Sequence, residues 1–294
     1  MEGYSKTVLA LGMFDGMHIG HQSLLWRTKA IAEDRGCPAV VFTFSNHPLE
    51  VLGGKPKLLT SLAARERLIR ACGIDAVETV PFTKELAGKT PEEFVDMLTG
   101  LFHPTAIVTG YNYTFGRFGS GTPKTLNTLG RRRGFDTEAI APVSYLGVPV
   151  SSTRIRRCVE DGDMKSATAM LMRPYRLSGE VVRNMQNGMR LGFPTANIDP
   201  DPLRAIPRDG VYATLCCVNG VCFKSVTNIG NNPTFEGQKL TIESHMCGFS
   251  EDIYGKMLTV DFVSRIRDEI KFESEEALKE QMQKDILQAR HDVV

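Results

Sequence analysis

Near residue 173 the spacing of apolar residues in this 294-residue chain changes period, and that change restricts the folds open to it. Ahead of it, strand-like apolar runs at 7–12, 38–44, 76–80, 105–109 and 137–141 alternate with stretches of helical spacing at 21–35, 62–72 and 123–133. Thr90-Pro91-Glu92-Glu93 opens a further helix, with Thr as cap, Pro at the first helical position and acids in the first turn. Other helices open at Ser151-Ser152-Thr153 and cover 164–170. Strands alternating with helices predict a doubly wound, mostly parallel α/β sheet, Rossmann-like in layout and covered on both faces. Beyond residue 173 the β-like segments 177–182, 211–218, 221–228, 240–247 and 257–262 follow one another without helices, with turn signals at Asn187-Gly188 and Asn219-Gly220. That succession predicts a small β-barrel, closed by an amphipathic terminal helix over 274–289 with Ser274 as its cap. The expected domains are 1–172 and 173–294.

Composition removes several classes of function. The formal net charge is +1, and the short cluster Arg131-Arg132-Arg133 ends a helix, where cations suit the dipole. A nucleic-acid partner is not expected. The seven cysteines form no C-x-x-C pair, and their odd number and irregular spacing favour free thiols over a zinc site or a disulfide framework. The first residues lack a signal-peptide pattern, and no apolar run approaches the roughly 20 residues of a membrane helix. The expected location is the cytoplasm, with no membrane partner.

The first strand runs into Gly12-Met13-Phe14-Asp15-Gly16-Met17-His18-Ile19-Gly20-His21 and then a helix. In an open α/β sheet this strand-to-helix turn faces the ligand crevice, and helix N-terminal amides attract phosphate there. His18 and His21 could both donate to phosphate oxygens, while Gly16 and Gly20 permit close backbone approach. Attack on the α-phosphorus of ATP needs stabilisation of charge on the phosphoryl oxygens and the leaving pyrophosphate, which histidine supplies. The pattern points to nucleotidyl transfer more firmly than to any one substrate. His-Ile-Gly-His is also similar to a class I aminoacyl-tRNA synthetase signature, but the Lys-Met-Ser-Lys-Ser loop of those enzymes is absent. In the corresponding late position stands Ser151-Ser152-Thr153-Arg154-Ile155-Arg156, whose hydroxyls and arginines suit a second phosphate cradle. A Walker loop fails because residue 83 is Thr rather than Gly, and no strand-linked G-x-G-x-x-G occurs.

In the second half, Thr195 and Asn197 offer hard oxygen ligands suited to Mg²⁺ after a Gly-rich stretch. Glu243 and His245 share one face of a strand, and a carboxylate near the metal could accept a proton from an attacking hydroxyl.

Four motifs in the first half occur in order: Gly12-x-Phe14-Asp15-Gly16-x-His18-x-Gly20-His21, Phe44-Ser45-Asn46-His47-Pro48, Gly110-Tyr111-Asn112-Tyr113-Thr114-Phe115-Gly116 and Ser151-Ser152-Thr153-Arg154-Ile155-Arg156. Together they resemble the FMN adenylyltransferase module of bacterial bifunctional riboflavin kinase/FAD synthetases. The second half carries Leu191-Gly192-Phe193-Pro194-Thr195-Ala196-Asn197-Ile198, Gly210-Val211-Tyr212-Ala213, Asn228-Ile229-Gly230 with Pro233-Thr234-Phe235, Glu243-Ser244-His245, Tyr254-Gly255 and Arg267-Asp268-Glu269 with Lys271-Phe272. These are similar to the riboflavin kinase module of the same family, a six-stranded barrel.

The resemblance, which covers residues 7 to 288, implies a bifunctional enzyme with riboflavin, FMN and ATP as substrates and Mg²⁺ as cofactor, working as a monomer or weak homo-oligomer. It implies that His18, His21 and Asn112 serve adenylyl transfer. Gly12, Phe14, Asp15, Ser152, Thr153 and Arg156 are expected to bind ATP or its phosphates. For the kinase it implies that Gly192 and Thr195 meet ATP, that Thr195 and Asn197 hold Mg²⁺, that Glu243 is the base and that Arg267 lies at the flavin. His47, at a strand end, stays open between a structural and a site role. One departure stands out. The family often has Arg where this chain has Met189, with an arginine one place later at Arg190. That departure motivates an alternative in which only FMN adenylyl transfer survives and the kinase barrel is impaired.

Overall fold

A computed structural model describes residues 3–183, 193–234 and 237–293, and the chain divides into two compact units, Met1–Ser152 and Thr153–Val294. Met189, Arg190 and Gly192, with the expected turn at Asn187-Gly188, lie outside the described residues.

The first unit runs β1 (Thr7–Leu11), α1 (Ile19–Asp34), β2 (Ala39–Phe44), α2 (Pro48–Val51), α3 (Leu62–Ala71), β3 (Ala76–Val80), α4 (Lys84–Gly88), α5 (Pro91–Phe102), β4 (Pro104–Gly110), α6 (Pro123–Arg133) and β5 (Asp136–Ile140), then a short hairpin of β6 (Ser144–Tyr145) and β7 (Val148–Pro149). Strands β1 to β5 form one parallel sheet in the order β3-β2-β1-β4-β5. Its central strand is buried throughout and apolar from Val8 to Leu11, because both faces are covered. Val8 and Ala10 point to a core with Leu24, Leu25 and Ile31 of α1 and Ile69 of α3. Leu9 and Leu11 point the other way, to Phe94, Val95 and Leu98 of α5 and Leu126 and Leu129 of α6. The chain leaves β1 toward one sheet edge, while β4 and β5 lie toward the other, so the order reverses between β1 and β4. A crevice opens at the carboxyl ends of strands at such a point.

Thr90 starts α5 as its sequence indicates: its hydroxyl accepts from Glu93 N at 3.2 Å, and the Glu93 carboxylate accepts from Thr90 N at 2.7 Å. His47 proves to be a cap as well. Its ring nitrogen accepts from Leu49 N at 3.1 Å, and Glu50 accepts from His47 N at 2.8 Å, which starts the short α2.

In the second unit α7 (Ser152–Asp161) and α8 (Met164–Leu171) precede a closed barrel of β8 (Tyr175–Val182), β9 (Ala196–Pro200), β10 (Gly210–Val218), β11 (Val221–Thr234), β12 (Gly237–Met246) and β13 (Met257–Arg267), and α9 (Glu275–Asp292) ends the chain. The compact units meet at 152/153 rather than at the expected 172/173, because α8 packs on β8 and β13 of the barrel. Ser274 caps α9 by accepting from Ala277 N at 3.1 Å.

Strand β9 is the barrel member that hydrophobic period alone does not reveal. It has five residues, ANIDP, with polar groups at alternate positions, and is held between β8 and β12. Gly179 lets β8 and β9 approach, since a Cβ there would lie 2.6 Å from the Asp199 carbonyl oxygen. The barrel has a distinct inside and outside. Ala213, Leu215 and Val226 face outward onto Ala289 and Val293 at the end of the chain. The alternate residues face inward, where Thr214, Thr227 and Ser244 form a buried chain of hydroxyls with two 2.8 Å contacts. By the same alternation Asn228, Glu243 and Asn197 belong to the outer face.

The expectation of free thiols needs one correction. Cys217 and Cys222 stand directly opposite each other across the β10–β11 hairpin and form a disulfide, with Cα atoms 4.1 Å apart. The Asn219-Gly220 turn sets that register. Cys37, Cys72, Cys158, Cys216 and Cys247 take no part in a disulfide.

Candidate active sites

The first site forms where β1 ends. Gly16, at φ 81°, and the less usual left-handed Phe14 and Met17 fold residues 12–18 into a tight turn. His18 then caps α1: its Nδ1 accepts from His21 N at 3.3 Å. The other ring nitrogen, Nε2, therefore carries the proton in the neutral imidazole and is a donor. Gly20 leaves room for that geometry, because a Cβ there would sit 3.2 Å from the His18 ring. The His18 and His21 rings stack with centroids 3.7 Å apart. Burial, with His18 and Arg65 adding positive charge nearby, holds His21 well below the usual histidine range. Its Nδ1 is buried and unpartnered. The start of α1 also leaves backbone amides without intrahelical partners, so the turn presents imidazoles and N–H groups to an anion.

Other residues expected in this site take supporting places. Phe14 is fully buried; its ring packs over Gly12 and meets the His21 ring edge-on at 5.3 Å. Asp15 is also buried, and its carboxylate accepts from Leu59 N, Thr60 N and the Thr60 hydroxyl at 2.9–3.1 Å. Phe14 and Asp15 thus brace the turn through their side chains instead of lining its open face, a role that motif spacing does not distinguish from ligand contact. Ser152 donates to the Asp15 carbonyl at 2.8 Å, which ties it to the same turn. Asn112 is exposed just beyond the carboxyl end of β4, the strand beside β1, in a turn closed by Tyr113 N donating to the Gly110 carbonyl at 3.1 Å. Thr153 and Arg156 stand on α7.

Arg65 is a residue the motif reading missed. It lies on α3 at 2 % exposure, donating to the Phe44 carbonyl at the end of β2 and to Met13 Sδ at 3.7 Å. A signal was available: Leu62, Arg65 and Ile69 follow the spacing of an apolar stripe, and a cation in such a stripe is unusual.

The second site is on the barrel. Glu243 of β12 lies opposite Asn197 of β9 on one side and Asn228 of β11 on the other. Thr195 donates its hydroxyl to Glu243 Oε1 at 2.5 Å. The three residues expected to serve metal and base are therefore together. His245, two residues along, shares that face; its Nδ1 donates to the Pro194 carbonyl at 2.9 Å and its ring meets Phe193 edge-on. This pins the segment carrying Thr195 to β12. Glu269 accepts from Asn228 Nδ2 at 3.0 Å and lies over Gly230, where a Cβ would come within 2.2 Å of its carboxylate.

Arg267 is less available than expected. Its Nε and Nη2 donate to Asp285 of α9 at 3.1 and 2.7 Å, and Nη1 donates to the Asp268 carbonyl at 3.0 Å. Asp285 is 2 % exposed and also accepts from Gln281, so Arg267 latches α9 to the end of β13. Asp285→Asn should cost about 3–5 kcal/mol in urea unfolding of the barrel, the usual penalty for leaving one partner of a buried ion pair uncompensated.

Comparison with known proteins bears on both sites. The family model for FAD synthetase matches residues 2–154, and that for riboflavin kinase matches residues 171–293. The bifunctional riboflavin kinase/FMN adenylyltransferase of Bacillus subtilis is 34 % identical over 97 % of this chain and 92 % of its own length. The chain belongs to this family. The Escherichia coli member is likewise 34 % identical, over 96 % of this chain and 91 % of its own. A solved Streptococcus pneumoniae chain described as a macrolide-efflux protein superposes with a TM-score of 0.91 at 30 % identity, covering 99 % of this chain and 95 % of the other. Among the described residues no helix is long and apolar enough to cross a membrane. The bifunctional family accounts for both the parallel-sheet unit and the closed barrel.

Proposed function

We propose that the chain phosphorylates riboflavin to FMN on the outer face of its barrel and adenylylates FMN to FAD at the β1–α1 turn, using one ATP for each step. The observation that carries this reading is the presence, in separate units, of two unlike sites: a carboxylate among neutral oxygen ligands, and stacked imidazoles at a helix start.

In the kinase step Glu243 takes the proton of the riboflavin 5′-hydroxyl as that oxygen bonds to the γ-phosphorus and ADP departs. Thr195 and Asn197 fit Mg²⁺, since they offer hard, neutral oxygens beside one carboxylate. An ion there would share its coordination with the phosphates of the nucleotide and with water, as Mg²⁺ usually does. Bound with ATP, Mg²⁺ would neutralise phosphate charge. Gly192 would meet ATP, and any contact of Arg267 with flavin would use the N–H groups left by its ion pair.

In the adenylyl step an FMN phosphate oxygen bonds to the α-phosphorus of ATP and pyrophosphate leaves. His18 donates through Nε2, and His21 and the α1 amides stabilise the phosphate charge. Asn112 orients the reacting phosphates, Ser152, Thr153 and Arg156 take the polyphosphate, and Gly12, Phe14 and Asp15 hold the turn. The adenylyl reaction is assigned to 1–172 and the kinase reaction to 173–294, in a cytoplasmic monomer or weak homo-oligomer without nucleic-acid or membrane partners.

Labelled ATP tests the division. Starting from riboflavin, γ-³²P should enter FMN, and α-³²P should appear only in FAD. Label from γ-³²P entering FAD made from unlabelled FMN would contradict it. The Met189 departure supports one second reading, adenylyl transfer alone; it requires that riboflavin take up no γ-label while FMN still gives FAD.

A further inference from the structure

Arg65 is a buried cation held only by neutral groups. Its Nη2 donates to the Phe44 carbonyl, its Nη1 to Met13 Sδ at 3.7 Å, and its Nε is buried with no partner. Among the described residues no carboxylate lies within ion-pair distance of it. The two acids that act on it from farther away have other partners: Asp15 accepts from Leu59 and Thr60, and Glu66 accepts from the Thr79 hydroxyl at 2.8 Å. A guanidinium stays charged at neutral pH, and a buried charge without a counter-ion is unfavourable. Its two contacts are at the carboxyl end of β2 and in the β1–α1 turn, the side of the sheet where ligands bind.

We propose that Arg65 is a positioning residue of the adenylyl site, a fixed cation beneath the β1–α1 turn whose missing counter-charge is the polyphosphate of ATP. This rests on the adenylyl reading above. Two consequences follow from the geometry. The turn is held in shape by a group whose charge is best compensated when nucleotide is bound. In the empty site His21 stays neutral, because burial disfavours its charged form and the stacked His18 from its own turn and Arg65 from α3 add positive charge nearby. When phosphates enter, their negative charge offsets Arg65, and His21 becomes able to take up a proton and donate from both nitrogens.

The test uses the full chain with Arg65→Met and Arg65→Lys. Riboflavin phosphorylation serves as the internal control for folding, because Arg65 has no part in that site. Arg65→Met should raise the KM for ATP in FAD formation by about tenfold, equivalent to one pKa unit of lost charge interaction. It should also move the His21 imidazole titration, followed by ¹³C NMR, to higher pH. Arg65→Lys, which keeps the charge, should restore most of both. An Arg65→Met protein with normal kinase activity but unchanged ATP KM and unchanged His21 titration would overturn the proposal. So would a loss of adenylyl transfer that Arg65→Lys does not relieve. Should Arg65→Met fail to fold, the wild-type chain still decides: adding pyrophosphate should raise the His21 pKa, and an unmoved titration with pyrophosphate bound contradicts the role. Failure of the adenylyl reading itself is separate, since the wild-type chain would then make no FAD from FMN.

Discussion

Replacing Glu243 by Gln should lower riboflavin phosphorylation by about 10²–10⁴-fold, the range for loss of a positioned general base, while FMN is still converted to FAD at the wild-type rate. The expectation rests on where Glu243 sits. Its backbone belongs to a strand held on both sides, by Asn228 of β11 and Asn197 of β9, so the fold does not depend on the carboxylate. Gln preserves the side-chain length and can still accept from the Thr195 hydroxyl, which donates to Glu243 at 2.5 Å in the native chain. What Gln lacks is the capacity to take a proton. Urea unfolding should therefore be unchanged. Separate assays with riboflavin and with FMN measure the effect. Equal loss of both activities would contradict the two-site division, and unchanged riboflavin phosphorylation would remove Glu243 from the reaction.

The mirror-image result is expected for His21→Gln, which should lower FAD formation from FMN by about 10²–10³-fold, as for removal of one preorganised donor to a developing oxyanion, and leave riboflavin phosphorylation intact. His21 also carries a pH signature. Burial lowers its pKa well below the ordinary 6.5, so below pH 6.5 the unfolded chain binds a proton that the folded chain does not. Stability is therefore unaffected by this group above pH 6.5 and declines as pH falls below it. His21→Gln removes that contribution, so urea midpoints measured from pH 7.5 down to 5.5 should fall less steeply than in the wild type. His18→Gln differs in kind, because His18 also caps α1 through Nδ1. It should lose activity and in addition about 1 kcal/mol of stability.

Several of these features can be read in the sequence, each for a physical reason. The β1 run Val8-Leu9-Ala10-Leu11 has no polar face because helices cover both sides of its sheet, so its place in a parallel sheet is evident from composition. Thr90 and Ser274 declare their helices because capping is local chemistry. The spacing of His18, Gly20 and His21 is legible for the same reason: a ring that caps the third amide needs a small residue between.

What escapes the sequence depends on contacts across long separations. Strand β9 has too few apolar residues to show a period and exists because β8 and β12 supply its partners. Asp15 looks like a ligand within its motif, but its partners are Leu59 and Thr60, some 44 and 45 residues away. Arg267 likewise meets Asp285 only once α9 has folded back on β13. The division at 152/153 depends on α8 packing against the barrel, which no linker composition announces. Arg65 falls between the two cases, legible as an anomaly in an apolar stripe but intelligible only from its surroundings.

The most direct measurement is chromatography of flavins over time after mixing the chain with riboflavin, ATP and Mg²⁺. FMN should rise first and then give way to FAD, with one ADP and one pyrophosphate released for each FAD formed. Riboflavin that remains unchanged, while added FMN still becomes FAD, would contradict the account and leave the barrel without its kinase reaction.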